Sequence, residues 1–175
     1  MKLFFHCILL FLVIILLAHC GKTRHLARRD IKDIPPVSQQ MFIESPFGFD
    51  PTIKNFRKKV IPPYRETAYT MKNKHNPNLV DTIFRFYYKK SELFVYKTHE
   101  GRNLFFAGNI YDNKISLSNG IYVGMQRGAF FNSFTNLRYN TNDTVVISSE
   151  QRISKCKFIF RNDKLTGIKI ENYID

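Results

Sequence analysis

Residues 82–97 read TIFRFYYKKSELFVYK, and this stretch decides the fold class. Apolar and aromatic side chains alternate with polar ones on both sides of Lys89-Lys90-Ser91. Alternation with a period of two is typical of half-buried strands, and the polar tripeptide supplies a turn between them. The stretch therefore predicts a β-hairpin made of the strands 82–88 and 92–97.

The same composition, rich in Phe, Tyr, Ile and Val, continues towards the carboxyl terminus and favours further strands. They are predicted at 103–110, around Ile115 and Leu117, at 144–148, at 155–160 and at 165–173. Alternation within 155–160 places Cys156, Phe158 and Phe160 on one face and two lysines on the other. We therefore expect Cys156 to be buried and unreactive, because burial raises the pKa of a thiol.

A helical period occurs between the two groups of strands. Phe130, Phe131, Phe134 and Leu137 follow the spacing i, i+1, i+4 and i+7 of a single apolar stripe. The polar face of this helix is expected to carry Gln126, Arg127, Asn132, Ser133 and Asn136. The predicted fold is α+β: an antiparallel sheet of about six to seven strands, with one main helix over about 126–137 packed on one face.

The first twenty residues have the pattern of a secretory signal. Lys2 precedes an apolar run from Leu3 to Ala18, and small residues follow at the exit. The run is shorter than the roughly 20 apolar residues that a membrane-spanning helix needs. Residues 17–20, Leu-Ala-His-Cys, resemble a bacterial lipobox, which implies acylation of Cys20 and a lipid anchor. We therefore expect export to the cell envelope, on the side that faces the periplasm.

Two other interpretations of this segment stay open. An ordinary secretory peptidase would cut after Cys20, because Ala18 and Cys20 are both small. The segment would instead be an uncleaved anchor, with the domain in the cytoplasm, if the positive-inside rule decided its orientation. The basic residues that follow the apolar run, against Lys2 alone before it, favour this orientation: Lys22, Arg24, Arg28 and Arg29.

The rest of the chain is predicted to be a tether and one domain. Residues 21–40 are basic and poor in core residues, which predicts a flexible tether. Residues 41–175 form a single α+β domain, irregular over 41–80 and built of sheet and helix over 81–175. One short helix is expected near Ile53, Phe56 and Val60, with Asp50 as its N-cap and Pro51 in its first turn.

The net charge of +13 at pH 7 indicates which kinds of partner the protein binds, and it says nothing about the fold. Anion-binding candidates lie in the tether and on the charged face of the short helix. They are Lys22, Arg24, Arg28, Arg29, Lys54, Arg57, Lys58 and Lys59. The expected partners are the membrane, through the lipid anchor, and an envelope protein or acidic polymer. Nucleic acid is not expected, because export would separate the protein from it.

Aromatic residues are abundant, with 17 Phe and 9 Tyr, and predict a partner surface on the exposed face of the sheet. The tyrosines expected there are Tyr87, Tyr96, Tyr111, Tyr122 and Tyr139, with Arg85, Lys97, Arg127 and Arg138 beside them. No catalytic residues, metal ligands or cofactor are predicted. His25, His75 and His99 are far apart, and no pair of carboxylates is marked out for acid–base chemistry.

Residues 119–125 read NGIYVGM and are followed by the predicted helix and the last strands. This pattern resembles the G-I-x-x-G-M segment of small bacterial envelope lipoproteins of the SmpA/OmlA type, of β-lactamase-inhibitor-protein-like domains and of uncharacterised Bacteroidetes lipoproteins. The resemblance covers about residues 114–170. It implies a helical hairpin on an antiparallel sheet and a role in envelope assembly or protein binding.

The motif residues Gly120, Gly124 and Met125 are expected to be structural. Gly124 would allow a positive φ, and Met125 would fill a gap in the core. The leading hypothesis is a non-enzymatic envelope lipoprotein that binds another envelope protein or an anionic lipid or glycan. The alternative is a secreted inhibitor or effector of the β-lactamase-inhibitor-like kind, and an enzyme is the third hypothesis.

Overall fold

The computed structural model of the protein describes residues 34–60 and 62–174. These residues form a seven-stranded antiparallel sheet with the order β1-β2-β3-β4-β7-β6-β5. The strands are β1 (Arg65–Lys72), β2 (Val80–Tyr88), β3 (Ser91–Lys97), β4 (Asn103–Ile110), β5 (Thr144–Ser148), β6 (Ser154–Arg161) and β7 (Lys164–Asn172). Because β7 pairs with both β4 and β6, the last strand joins the first four strands to the other two.

The predicted hairpin of β2 and β3 is confirmed. Phe86 lies opposite Leu93 and Tyr88 opposite Ser91 in the pair of β2 and β3. The predicted strands 103–110 and 144–148 have the observed bounds, and the others differ by one or two residues at their ends. The strand predicted around Ile115 and Leu117 is wrong. Both side chains are buried, but their segment is a loop closed by the hydrogen bond that Leu117 N donates to Ile121 O at 2.7 Å.

Three short α-helices and a 3-10 turn occur in the described part of the chain. They are α1 (Gln39–Glu44), α2 (Ile53–Val60), the 3-10 turn Ser118–Gly120 and α3 (Arg127–Asn132). Phe56 of α2 packs on Phe86, and Phe42 of α1 packs on Phe158, with ring centroids 5.3 and 5.8 Å apart. Phe130 of α3 also packs on Phe158. These helices therefore pack on the same face of the sheet, and we call it the covered face.

The predicted main helix is shorter than expected. It ends at Asn132 rather than near residue 137, although Phe134 is still buried as its spacing predicts. Beyond Asn132 the backbone pairs with residue Val37: Val37 N donates to Ser133 O, and Thr135 N donates to Val37 O. The backbone N–H and C=O groups that another helical turn would use are therefore already hydrogen-bonded to Val37.

The region 41–80 contains more structure than predicted. Strand β1 pairs with β2 along its whole length, but most of its side chains are exposed, so it lacks the apolar alternation of a half-buried strand. Helix α1 begins at Gln39, inside the predicted tether 21–40, and its N-cap is Ser38, whose Oγ accepts a hydrogen bond from Met41 N. Residues 34–40 thus belong to the folded unit.

Helix α2 confirms the prediction of a short helix near residue 53. Ile53, Phe56 and Val60 are buried, so the predicted apolar face is the face that packs on the sheet. The predicted N-cap is wrong, because Thr52 Oγ1, rather than a carboxylate of Asp50, accepts a hydrogen bond from Asn55 N at 3.3 Å. The predicted signal, Cys20 and the tether up to residue 33 lie outside the described residues.

Candidate functional site

The second face of the sheet carries the candidate site, and we call it the open face. The helix contacts described above all lie on the covered face, whereas side chains of the open face, apart from the buried Asp81, are half-buried or exposed. Because side chains alternate along a strand, the register assigns residues to it. They include Ile83, Arg85, Tyr87, Phe94, Tyr96, Leu104, Phe106, Lys155, Lys157, Ile159, Arg161 and Lys169.

Three lysines of β6 and β7 form a basic strip on the open face. Lys157 lies directly opposite Lys169, and Lys155 lies opposite Glu171. Lys157 Nζ is 2.9 Å from Glu171 Oε1. The hydrogen bond from Lys157 is the main reason why the pKa of Glu171 is lowered, and the charges of Lys155 and Lys169 lower it further. We call Lys155, Lys157 and Lys169 the lysine strip.

The lysine strip has an excess of positive charge that the fold does not need. One carboxylate, Glu171, faces three ammonium groups. Like charges directly opposite one another on neighbouring strands oppose pairing, so the Lys157 and Lys169 pair does not stabilise the sheet. At physiological ionic strength charges interact over about 8 Å, which lets neighbouring lysines act together on one anion.

A groove adjoins the lysine strip and adds an aromatic ring to it. Its volume is about 740 Å³, and its lining includes Lys90, Tyr111, Arg161 and Lys169. The Tyr111 ring lies against the backbone of β7, since a Cβ atom at Gly167 would be only 2.9 Å from Tyr111 Cε1. The groove therefore combines three cationic side chains with an exposed phenol ring, a composition suited to an anionic ligand with a ring or an apolar part.

The opposite half of the open face is aromatic. Phe94 and Phe106 pack with their ring centroids 5.8 Å apart, and the Arg85 guanidinium lies 4.9 Å from the centre of the Tyr87 ring. Arg85 is also paired with Glu92 at 3.1 Å. We call Tyr87, Phe94 and Phe106 the aromatic half; it is the kind of surface that protein interfaces favour.

The structure divides the predicted tyrosine surface. Tyr87 and Tyr96 lie on the open face and Tyr111 in its groove, but Tyr139 packs on Phe131, next to α3. The prediction is wrong for two of the basic neighbours. Lys97 follows the alternation of Leu93 and Val95 on the covered face, and Arg127 is buried rather than on the polar face of its helix. Ser133 of that predicted polar face is buried as well.

The basic face of α2 is exposed, as predicted, and one of its four charged side chains is already in an ion pair. Lys54, Arg57, Lys58 and Lys59 are all exposed. Arg57 forms a bidentate pair with Glu66 at 2.6 and 2.8 Å, and Lys59 Nζ lies 5.4 Å from the centre of the Phe49 ring. This face lies on the covered side of the sheet, so it does not join the lysine strip. The remaining candidates, Lys22, Arg24, Arg28, Arg29 and Cys20, are outside the described residues.

The glycine and methionine motif has the expected structural geometry. Gly120 and Gly124 have φ angles of 69° and 104°, and Met125 is buried. Gly124 N donates to Leu165 O at 2.7 Å, and Leu165 N donates to Met125 O at 2.9 Å. These bonds attach the start of α3 to β7, and they give the motif a role in the packing of the helix on the sheet.

The chemistry of the covered face is that of a core. Cys156 is buried, and burial raises the pKa of its thiol to about 12, which makes it a poor nucleophile at neutral pH. Among residues 34–60 and 62–174, no cluster of three or more His, Cys, Asp or Glu side chains is arranged to hold a metal ion. No helix in the same two segments has the length and apolarity needed to cross a membrane.

Sequence reasoning found the outward lysines of β6 but not the strip. Alternation places Lys155 and Lys157 opposite the buried side of their strand, which the structure confirms. The contribution of Lys169 depends on the register between β6 and β7, including the shift between Ile159 and Phe160.

Neither a family model nor a curated protein nor a solved structure matches this chain. The resemblance of residues 119–125 to envelope lipoproteins stays a prediction.

Proposed function

We propose that this protein is a non-enzymatic lipoprotein of the cell envelope, exported and anchored through Cys20, whose domain binds an anionic envelope component. The component is an acidic glycan, an anionic lipid or an acidic patch of another envelope protein. The lysine strip is the observation that carries the proposal. Three lysines face one carboxylate on a sheet face that the described helices leave open, and the groove beside them adds Lys90 and Arg161.

The predicted tether supports the same function. Lys22, Arg24, Arg28 and Arg29 follow the predicted acylation site within nine residues. A basic residue close to an anionic membrane surface contributes about 1 kcal/mol of binding free energy. The tether would hold the domain at the membrane, and the lysine strip would remain available to a polymer or a headgroup.

Neutralising the lysine strip is expected to weaken binding to an acidic polymer by about 100-fold. The triple variant Lys155→Ala, Lys157→Ala, Lys169→Ala removes three charges that contribute about 1 kcal/mol each. Binding to polygalacturonate and to vesicles containing phosphatidylglycerol would be measured between low and physiological salt. The variant should also show a shallower dependence of affinity on salt, because it has fewer charges to screen.

The matched variant removes three lysines from the basic face of α2 instead. Lys54→Ala, Lys58→Ala, Lys59→Ala makes the same change in charge on the other side of the sheet. We expect it to retain affinity within about threefold, which is less than 1 kcal/mol. A larger loss from the α2 variant than from the strip variant would move the site to α2 and contradict the proposal.

The aromatic half of the open face favours a second candidate function. Phe94 and Phe106 remain half-exposed, and aromatic residues are enriched at protein interfaces. A secreted inhibitor or effector would use this half of the sheet to bind an enzyme. It would carry no lipid, so the state of the mature amino terminus separates the two functions.

The intact mass of the mature protein is expected to show an acylated Cys20 as the first residue. Cys20→Ser should abolish acylation, whereas Cys7→Ser, within the signal, should leave it unchanged. A mature protein that begins with an unmodified Gly21 would favour the secreted inhibitor or effector. Retention of Met1 would indicate an uncleaved anchor and would contradict export.

A further inference from the structure

A second cavity lies at one end of the open face, separate from the lysine strip. It has a volume of about 310 Å³ and is formed by the β1–β2 connection and the β3–β4 connection. Its apolar lining comes from Met71, Leu104 and Ile174, next to Tyr96. Its basic lining comes from Lys74, His75, His99 and Arg102. None of the described residues that line this cavity is Asp or Glu.

A buried carboxylate holds the two connections of the cavity together. Asp81 is 1% exposed and accepts hydrogen bonds from Tyr96 Oη, Asn73 Nδ2 and the backbone N–H of His99. The bond from Tyr96 is the main cause of the lowered pKa of Asp81, so the carboxylate is charged at neutral pH. Three donors already occupy Asp81, which gives it a role in fixing both connections rather than in binding a cation.

The basic side chains of the cavity are available to a ligand. Arg102 is paired with Glu100 at 3.1 Å, but both side chains are well exposed, and exposed pairs contribute little free energy. His99 Nδ1 lies 3.8 Å from Asp81 Oδ1 and His99 Nε2 lies 3.9 Å from Glu100 Oε1, and both distances are too long for a hydrogen bond. The ion pairs of the described residues do not include Lys74 or His75.

We propose that this cavity binds a small organic anion, namely a ring or short chain that carries a carboxylate or a phosphate group. Lys74 and Arg102 bind the acidic group, and the Tyr96 ring and the apolar lining contact the body of the ligand. The volume is at the lower end of the range for small-molecule sites, which suits a single sugar acid or sugar phosphate. The site is independent of the lysine strip and of the proposed function.

The test uses three hexoses that differ in charge. Glucuronate and glucose 6-phosphate are titrated into the isotopically labelled domain, with glucose as the neutral control, and backbone amide shifts are followed by NMR. We expect saturable shifts in residues 73–75 and 98–102 with at least one of the two anions and none with glucose. The comparison of the two anions shows whether a carboxylate or a phosphate is preferred.

A matched pair of double variants completes the test. Lys74→Ala with Arg102→Ala should weaken binding of the anion by about 10-fold or more, because each contributes a charged hydrogen bond. Lys72→Ala with Lys97→Ala removes the same charge nearby without altering the lining, and it should bind as the original protein does. All four side chains are exposed, so the variants should fold. Equal shifts with glucose, shifts centred on the lysine strip, or unchanged affinity in the first variant would overturn the proposal.

Discussion

Replacement of Phe130 by alanine is expected to lower the free energy of unfolding by about 3–5 kcal/mol. Phe130 is fully buried in α3, and four aromatic rings surround it. The ring centroids of Phe131, Phe134, Phe158 and Phe160 lie 4.7 to 5.4 Å from its own. Without the ring, the free energy gained by burying its apolar surface is lost. A cavity also remains between α3 and β6, because the closely packed side chains around it cannot move far enough to fill it.

The measurement is urea unfolding followed by circular dichroism, with Phe94→Ala as the matched control. Phe94 also contacts another aromatic ring, Phe106, but it lies on the open face and is only half-buried. We expect Phe94→Ala to lower the free energy of unfolding by about 1 kcal/mol, which is close to the average effect of a single substitution. Equal losses in the two variants would show that the open face is packed as tightly as the covered face.

The strands were predictable because their apolar periodicity is local. Strands β3 and β6 each bury alternate side chains, and the spacing of those residues predicted their positions within one residue at each end. Strand β1 was not predictable in this way, since it pairs along one edge of the sheet with little burial of its own side chains. The end of α3 was also missed, because it depends on a pairing with Val37, almost 100 residues earlier in the chain.

The candidate sites show the same division between local and long-range information. The spacing of Lys54, Arg57 and Lys58 on one helix face could be predicted from the sequence, and the structure confirms their exposure. The spacing could not predict whether a charge is already paired, because the partner of Arg57 is Glu66, which lies in the next element of the chain. The small cavity combines residues of two connections that are more than 20 positions apart, so spacing gave no indication of it.

Arg127 is the position where the sequence prediction and the structure differ most. Helical periodicity assigned it to a polar, solvated face, but only 4% of the residue is exposed. Its guanidinium carbon lies 4.4 Å from the centre of the Phe160 ring, and Nη1 donates to Asn140 O and Asn142 O at 3.3 and 2.7 Å. Nε donates to Asp163 Oδ1 at 2.9 Å. This one side chain connects α3 to the segment before β5 and to the β6–β7 turn.

The variant Arg127→Ala is expected to lower the free energy of unfolding by about 3 kcal/mol. Two backbone carbonyls would lose a charged donor; hydrogen bonds to charged groups contribute about 1.5–3 kcal/mol each, and water would replace part of this at the exposed Asn142. The ion pair itself should contribute less than about 1 kcal/mol, because the Asp163 side chain is 74% exposed. Urea unfolding of the variant measures the total.

Two further variants separate the parts of this effect. Asp163→Asn removes the negative charge, and asparagine tolerates the positive φ of 57° at this turn position. We expect the free energy of unfolding to fall by less than about 1 kcal/mol. Arg127→Met retains apolar contact with Phe160 and removes every hydrogen-bond donor. Its loss of unfolding free energy should therefore approach that of Arg127→Ala. If Asp163→Asn cost as much as Arg127→Ala, the stabilisation would come from the ion pair. If Arg127→Met unfolded like the original protein, packing on Phe160 would account for the whole effect, and the bonds to Asn140 and Asn142 would contribute nothing.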